Sequence, residues 1–357
     1  MKKFLALVLT LSMMLSLVAC GGSNATPAAE APAAEAPAAE APAAAAQPAD
    51  DGKTYDMVFA THLAETHPIT KALYKFKDQV EAESNGRIKI TTYINSELGD
   101  PTEVIDQIRT GVVDGGIFTT GHMAYYNEKL NATMWPYMFQ SYEHAASAYT
   151  GEVGDYMKQM AADAGFTVLD WMYYGFRNLS SNRPVNSVSD VKGMKLRVPS
   201  ERVNQLTMKA FGATCNTIAF SELYLALSQG VVDGQENPIA SMDSINVQEV
   251  NKYVAMIEYT FFTSGMVMNP DKFNALPADL QEIVKKASAD AAAYEMEIFV
   301  DEENALIEKF KEAGVTFTYP DKAECAAAAQ PALDELKQDY DAAFVDKWLS
   351  MIEASKA

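Results

Sequence analysis

The chain is short of the residues on which most catalytic and metal chemistry rests. Its 357 residues include three cysteines and four histidines. There is no Gly-x-Ser-x-Gly elbow, no P-loop, no His-Glu-x-x-His and no Cys-x-x-Cys, so the commonest hydrolase, nucleotide, zinc-protease and redox patterns are missing. His62, His67, His122 and His144 are scattered, and His62 and His67 precede a helix instead of sharing one of its faces; no metal or other cofactor is expected. Positive charge is scarce too: 28 Lys and Arg against 48 Asp and Glu give a formal charge of −20. That balance opposes a polyphosphate, no basic stripe offsets it, and nucleic acid is excluded as a partner. Apolar runs long enough to approach a membrane span are lacking after residue 19, so the composition is that of an acidic globular protein. Carboxylates abound, but no pair stands out as acid and base, and they read as solvated faces.

What is present begins with "MKKFLALVLTLSMMLSLVAC". Lys2 and Lys3 precede an apolar-to-neutral run from Phe4 to Ala19, shorter than the ~20 residues a spanning helix needs. Residues 1–19 therefore read as a signal peptide. "LVAC" followed by "GG" resembles the lipobox of bacterial lipoproteins, which implies cleavage before Cys20 and a lipid on its sulfur. Two or three acyl chains hold a protein stably to a membrane. Residues 20–52 then form a linker whose Ala, Pro and Glu repeat favours a semi-extended, solvated chain. Cys215 and Cys325 remain, and both read as small packing residues.

From Lys53 the composition turns globular, with room for two domains. "YDMVFATHL" reads as a strand and "HPITKALYKFKDQVEAESNG" as a helix burying Ile69, Ala72, Leu73, Phe76 and Val80. "RIKITTYIN" is the next strand. "DPTEVIDQIRTG" carries Asp100 as N-cap, Pro101 at the first helical position and Glu103 set for a capping box. Strand and helix alternate in this way with short connections, which predicts βαβ units and mainly parallel sheets flanked by helices. The word "GVVDG" occurs twice, at 111–115 and 230–234, each time after an amphipathic helix. Its first Gly is expected to stop the helix and its valines to start a buried strand, which points to two related α/β halves. "FSELYLALSQG" is expected to bury Leu223, Leu225, Ala226 and Leu227. "VTFTYP" reads as an edge strand. The C-terminal third reads as long bracing helices, the last pair running from Pro331.

Arg177, Arg183 and Arg197 cluster in "GFRNLSSNRPVNSVSDVKGMKLRVPS", with Arg197 near the carboxyl end of a strand, where open α/β sheets place ligands. That segment, together with "FGATCNTIAFSELYLALSQGVVDGQENP" and the earlier "HPITKALYKFKDQVEAESNGRIKI" with "SELGD", resembles the DctP-type solute receptors of tripartite ATP-independent periplasmic (TRAP) transporters. The likeness runs in unbroken order from about Tyr55 to Pro270. It implies a type II-like, periplasmic-binding-protein-like two-domain clamp with a hinge cleft, closing on a small carboxylate and handing it to the small and large membrane subunits of a permease. It also implies that Arg197 pairs with the ligand carboxylate, that Arg177 is a second cationic contact, that Asn237 is a polar contact and that Phe220 lies beside the ligand. Members that bind a large sugar acid carry a Glu where Thr119 stands, and the loop after the first strand is often amide-bearing where this chain has Thr61 and His62. Those departures turn the expected ligand from a sialic acid toward a smaller carboxylate: a uronate, an amino acid or an aromatic acid.

Physical chemistry supports the arginine role separately, because a guanidinium offers a planar fork that matches a carboxylate. Closing a hinge requires ligand contacts on both halves. Thr61, His62, Asp100 and Thr119 are the candidates on the first. The expected boundaries are 53–174 plus 263–302 for the first domain and 175–262 plus 303–357 for the second. The expected protein is a monomeric, lipid-anchored receptor on the extracytoplasmic face and not an enzyme. A receptor feeding a sensor kinase and an envelope enzyme that clamps an acidic substrate are the alternatives.

Overall fold

The computed structural model describes residues 52–356. The signal peptide, Cys20 with its lipid and nearly all of the linker lie outside the described residues. The described strands are, in chain order, β1 Tyr55–Ala60, β2 Ile88–Tyr93, β3 Gly115–Thr119, β4 Thr167–Phe176, β5 Asn178–Ser181, β6 Lys195–Val198, β7 Thr214–Thr217, β8 Gly234–Asn237, β9 Tyr253–Ala255, β10 Phe261–Met268 and β11 Thr316–Thr318. They form two sheets, β2-β1-β3-β10-β4 and β11-β9-β5-β8-β6-β7.

Both sheets are mixed, which corrects the mainly parallel expectation. In the first, β1 pairs parallel with β2 and β3, while β10 lies antiparallel to both β3 and β4. In the second, β6 pairs parallel with β7 and β8, β11 pairs parallel with β9, and β5 lies antiparallel to β8 and β9. Strands made by local βαβ units are parallel, as their short right-handed crossovers require. Each sheet then receives one antiparallel strand delivered from the other: the chain leaves the first sheet through β4 and enters the second as β5, then returns from β9 into β10.

Local chemistry explains the elements that feed these sheets. Helix Pro68–Glu83 starts where His67 Nδ1 accepts the Ile69 N–H at 3.2 Å, and the five expected apolar residues of its stripe are fully buried. Burying each large side chain of that stripe contributes about 1.5–3 kcal/mol. Helix Pro101–Arg109 has the expected Asp100/Glu103 capping box. Helix Leu223–Ser228 buries Leu223, Ala226 and Leu227 but leaves Leu225 exposed. Pro331 does not open the last helix pair; it sits inside helix Lys322–Lys337, on an exposed position, while Cys325, Ala329, Ala332 and Leu336 hold the opposite face in the core. Cys215 and Cys325 are free thiols.

The two GVVDG words do the same work in both sheets. Gly111 and Gly230 stop the preceding helices with φ of 78° and 68°, which glycine adopts without a Cβ penalty. The strands begin only at Gly115 and Gly234, so the valines belong to the turn. Val113 and Val232 are buried, whereas Val112 and Val231 face solvent. Asp114 then accepts the Val58 N–H of β1 at 2.8 Å, and Asp233 accepts the Lys195 N–H at the start of β6 at 2.8 Å. Each aspartate thus joins its turn to the neighbouring parallel strand. A Cβ on Gly116 or Gly234 would lie 2.2 Å from the carbonyl oxygen of Ala60 or Ser180, so the strand starts tolerate no side chain there.

Between the sheets the two crossing segments are bonded to each other. Arg177, the one residue between β4 and β5, donates its N–H to Thr260 O at 2.9 Å and accepts the Tyr259 N–H at 3.3 Å. The 35-residue helix Ala278–Glu312 accompanies the crossing. Leu280, Val284 and Phe299 pack in the first sheet's core, and Phe310 packs among side chains around the second. The final helix, Ala342–Ala354, departs from the sequence grouping of 303–357 with the second half: Phe344, Trp348 and Ile352 join the first core.

Beside the crossing, Tyr142 packs on Tyr173, Phe176, Phe261 and Phe299 and donates its hydroxyl to Glu303 at 2.6 Å. Burial pushes the Glu303 carboxyl up to about 7, against the Tyr142 hydrogen bond and with the aid of the Glu258 charge. The folded state therefore keeps a proton that the unfolded chain releases near 4.5. Glu303 makes stability fall as pH rises through the interval from 4.5 to about 7. Glu303→Gln is expected to reduce that fall, read as the difference in urea-unfolding free energy between pH 4.5 and pH 8. A variant with the same pH slope as the parent would contradict the assignment.

Candidate ligand-binding site

A cavity of about 260 Å3 lies where the carboxyl ends of parallel strands from both sheets face each other. The first sheet brings His62 from the loop after β1, Asp100 and Thr102 from the start of helix Pro101–Arg109, Thr119 from the end of β3 and Tyr174 from β4. The second brings Arg197 from β6, Phe220 after β7 and Asn237 from the end of β8, while Arg177 comes from the crossing and Phe262 from the start of β10. Seven of the eight residues expected from the sequence line this space. Thr61 does not: it is buried behind the wall, its N–H continuing the sheet to Tyr93 O at 2.9 Å.

Arg197 is 3% exposed, and its Nε donates to Ile218 O at 2.8 Å. No carboxylate of the described residues lies within ion-pair distance of it. Burial pushes its pKa down to about 10; the Glu236, Glu201 and Tyr174 charges oppose that fall and Arg177 adds to it. The group remains a cation at neutral pH with its terminal nitrogens uncommitted.

Arg177 differs: it lines the cavity, but its charge is already paired within the protein. Its Nε is paired with Glu236, its Nη2 donates to Glu236 O at 2.7 Å, and its guanidinium lies 4.5 Å from the centre of the Phe262 ring. Glu236 also accepts from Asn204 Nδ2 at 3.1 Å and from the Tyr259 hydroxyl at 2.7 Å. Burial works against the Arg177 charge, but Glu236 and Tyr259 more than offset it and raise the pKa. Its charge is matched behind the wall, so it positions the crossing as much as it faces the cavity. Asn237 Nδ2 is held by Gln235 Oε1 at 2.5 Å, which leaves its Oδ1 for the cavity.

On the opposite wall the His62 ring stacks at 6.1 Å on Phe118 and at 6.2 Å on Tyr174. It meets His122 edge-on at 5.4 Å and Phe220, from the other half, at 5.8 Å. Burial, then the neighbouring His122 and His67, hold the His62 pKa well below 6.5, so the ring is neutral at pH 7. Thr119 Oγ1 bonds His122 Nδ1 at 3.1 Å. Asp100 is partly spent on its cap, accepting from the Thr102 N–H at 3.0 Å. A further contact joins the two halves beside the cavity, the Tyr125 hydroxyl donating to Ser200 Oγ at 2.7 Å.

His122, Tyr125, Tyr174, Phe262 and Glu201 also line the cavity and were not among the residues expected from the sequence. Tyr174 was within reach, since it lies three residues before Arg177, near the end of β4. Phe262 was not, because nothing local announces that its strand returns to the first sheet.

The exchanged strands and the cleft they straddle define a two-lobed solute-binding protein. The chain belongs to the bacterial extracellular solute-binding proteins, family 7 (DctP), whose model matches residues 59–339. Among its relatives, the sialic acid-binding periplasmic protein SiaP of Vibrio cholerae is 30% identical over 77% of this chain and 86% of its own length. The C4-dicarboxylate-binding periplasmic protein DctP of Rhodobacter capsulatus is 28% identical over 84% and 90%. A TRAP periplasmic solute-binding protein from Sulfitobacter sp. NAS-14.1, solved with β-D-galacturonate bound, superposes with a TM-score of 0.80 at 25% identity, over 83% of this chain and 99% of that one. The resemblance carried by the "LRVP" to "GVVDGQENP" tract is thereby borne out.

Proposed function

We propose that the protein is an extracytoplasmic receptor that encloses one small organic acid in the cleft and delivers it, unchanged, to a TRAP-type permease for uptake driven by an ion gradient. The observation that carries this reading is Arg197, a nearly fully buried cation that the protein itself leaves unmatched. Burying a charge without a partner is costly, and a ligand carboxylate supplies the partner. The relatives named above take sialic acid, a C4-dicarboxylate and galacturonate, and a carboxylate is what these ligands share.

In this reading Asn237 and Phe220 complete the second lobe's share of the site, and His62, Thr119 and Asp100 the first's. The lobes comprise 53–176, 261–302 and the last helix on one side, and 178–258 with 303–337 on the other, joined by the crossing segments. The receptor acts as a monomer, tethered through lipid on Cys20, and the linker holds the clamp clear of the membrane. Mass spectrometry of small molecules released from the purified protein by denaturation is expected to find an organic acid, and thermal-shift screening is expected to show stabilisation by that acid. Absence of stabilisation by any carboxylate would overturn the reading. Chemical conversion of the recovered acid during incubation would favour an enzyme instead.

A further inference from the structure

Glu201 is the one carboxylate on the cavity wall that the protein does not use. It stands three residues after β6, at the N-cap of helix Arg202–Ala210, yet its side chain makes no cap hydrogen bond. It is 8% exposed, and its Oε2 is buried without a partner. It lines the cleft cavity and also a neighbouring one of about 450 Å3, so it forms part of the partition between them. Across the cleft it rests on Gly121: a Cβ there would lie 2.6 Å from Glu201 Oε1. The glycine thus provides the space for a carboxylate that has no structural task in return.

The charges on the wall sort into two kinds. Arg177 is matched by Glu236, behind the cavity. Arg197 is unmatched, and on the acidic side Glu201 lacks a donor while Asp100 is occupied in part by Thr102. One ligand carboxylate satisfies Arg197. A second ligand carboxylate would find no unpaired arginine on the lining, since Arg177 is held by Glu236, and would face Glu201 and Asp100, a like-charge arrangement that disfavours the ionised form. A neutral donor satisfies Glu201 instead, in a charge-assisted bond about twice as strong as a neutral one.

Resting on the receptor reading above, we infer that Glu201 is a specificity-determining residue that accepts a ligand hydroxyl, so that the site takes hydroxylated monocarboxylates and rejects dicarboxylates. Hydroxyls are favoured over a single ammonium because the cavity also offers uncommitted neutral polar groups, the Thr217 hydroxyl and the Oδ1 of Asn237. An α-amino acid would engage Glu201 and leave these unused.

The test is calorimetry on the purified protein and on Glu201→Gln, which keeps the side-chain shape. The panel contains uronic and aldonic acids, C4-dicarboxylates, α-amino acids and hexanoate as a monocarboxylate without hydroxyls. The parent is expected to bind a uronic or aldonic acid best and the dicarboxylates at least tenfold more weakly. E201Q is expected to lose at least tenfold for the hydroxylated acid, to leave hexanoate unchanged and to narrow the gap to dicarboxylates. Tightest binding of a dicarboxylate or an amino acid, or an E201Q affinity equal to the parent's, overturns the role of Glu201 while leaving a carboxylate receptor intact. Binding of no acid at all sinks the receptor reading and this inference with it.

Discussion

Arg197→Ala is expected to weaken binding of the cognate acid by about 2–5 kcal/mol, roughly 30- to 5,000-fold, the usual cost of removing one member of a buried charge pair. The loss comes from the ligand side, because the carboxylate would enter a wall whose other arginine, Arg177, is already paired with Glu236. Arg197→Lys is expected to restore only part of the affinity, since an ammonium lacks the planar fork. The ligand-free protein should respond in the opposite direction. Arg197 is buried with the Ile218 carbonyl as its one hydrogen-bond acceptor and no ion-pair partner among the described residues, and burial outweighs the nearby Glu236 and Glu201 charges; its removal therefore relieves a penalty and is expected to raise the melting temperature of the apo form. Calorimetry gives the first result and a thermal melt the second. Near-native affinity in Arg197→Ala would refute the assignment; a lower apo melting temperature would show that the cation stabilises the fold.

The second large effect concerns stability. Glu236 is fully buried and receives Arg177, Asn204 and Tyr259 together. Removing one partner of a buried pair strands the other, at a cost of about 3–5 kcal/mol. Glu236→Ala is therefore expected to lower the unfolding free energy by that amount in urea titrations. Replacing both partners with apolar residues, Arg177→Met with Glu236→Leu, is expected to recover most of it, because no charge is then left unpaired. A loss below about 1 kcal/mol in the single variant would show that water reaches Arg177 and that the pair is not sealed.

Much of this fold was legible in the sequence because its parallel strands come from local units. Helix stripes, the Asp100 cap and the Gly stops at 111 and 230 all act within one turn of chain. The antiparallel strands were not legible: nothing within "FFTSGMVM" says that it returns to lie between β3 and β4. The site shows the same division. Arg197, Arg177 and Asn237 sit in motifs, so they were found, along with their order along the second lobe. That Arg177 is already paired was hidden, because Glu236 lies 59 residues away and meets it only through the β5–β8 pairing. Glu201 was passed over for the opposite reason: it looks like ordinary helix-start acid, and only its lack of any bond sets it apart. Thr61 and His62 share the loop after β1 in which the resemblance implies a contact, but Thr61 N–H continues the sheet to Tyr93 O, and of the two only His62 lines the cavity.

The placement of β10 also sets an order of events. It lies between β3 and β4, so a nascent chain that has emerged only as far as β4 has a gap where its sheet should be continuous. Neither neighbour can complete its ladder until residues 261–268 arrive, by which time all of β5 to β9 has been made. The first lobe is thus begun first but left open until most of the second has been made, and truncation at the crossing yields an open-edged fragment instead of an independent half. The clamp is assembled as one piece, with its ligand-facing jaws committed together.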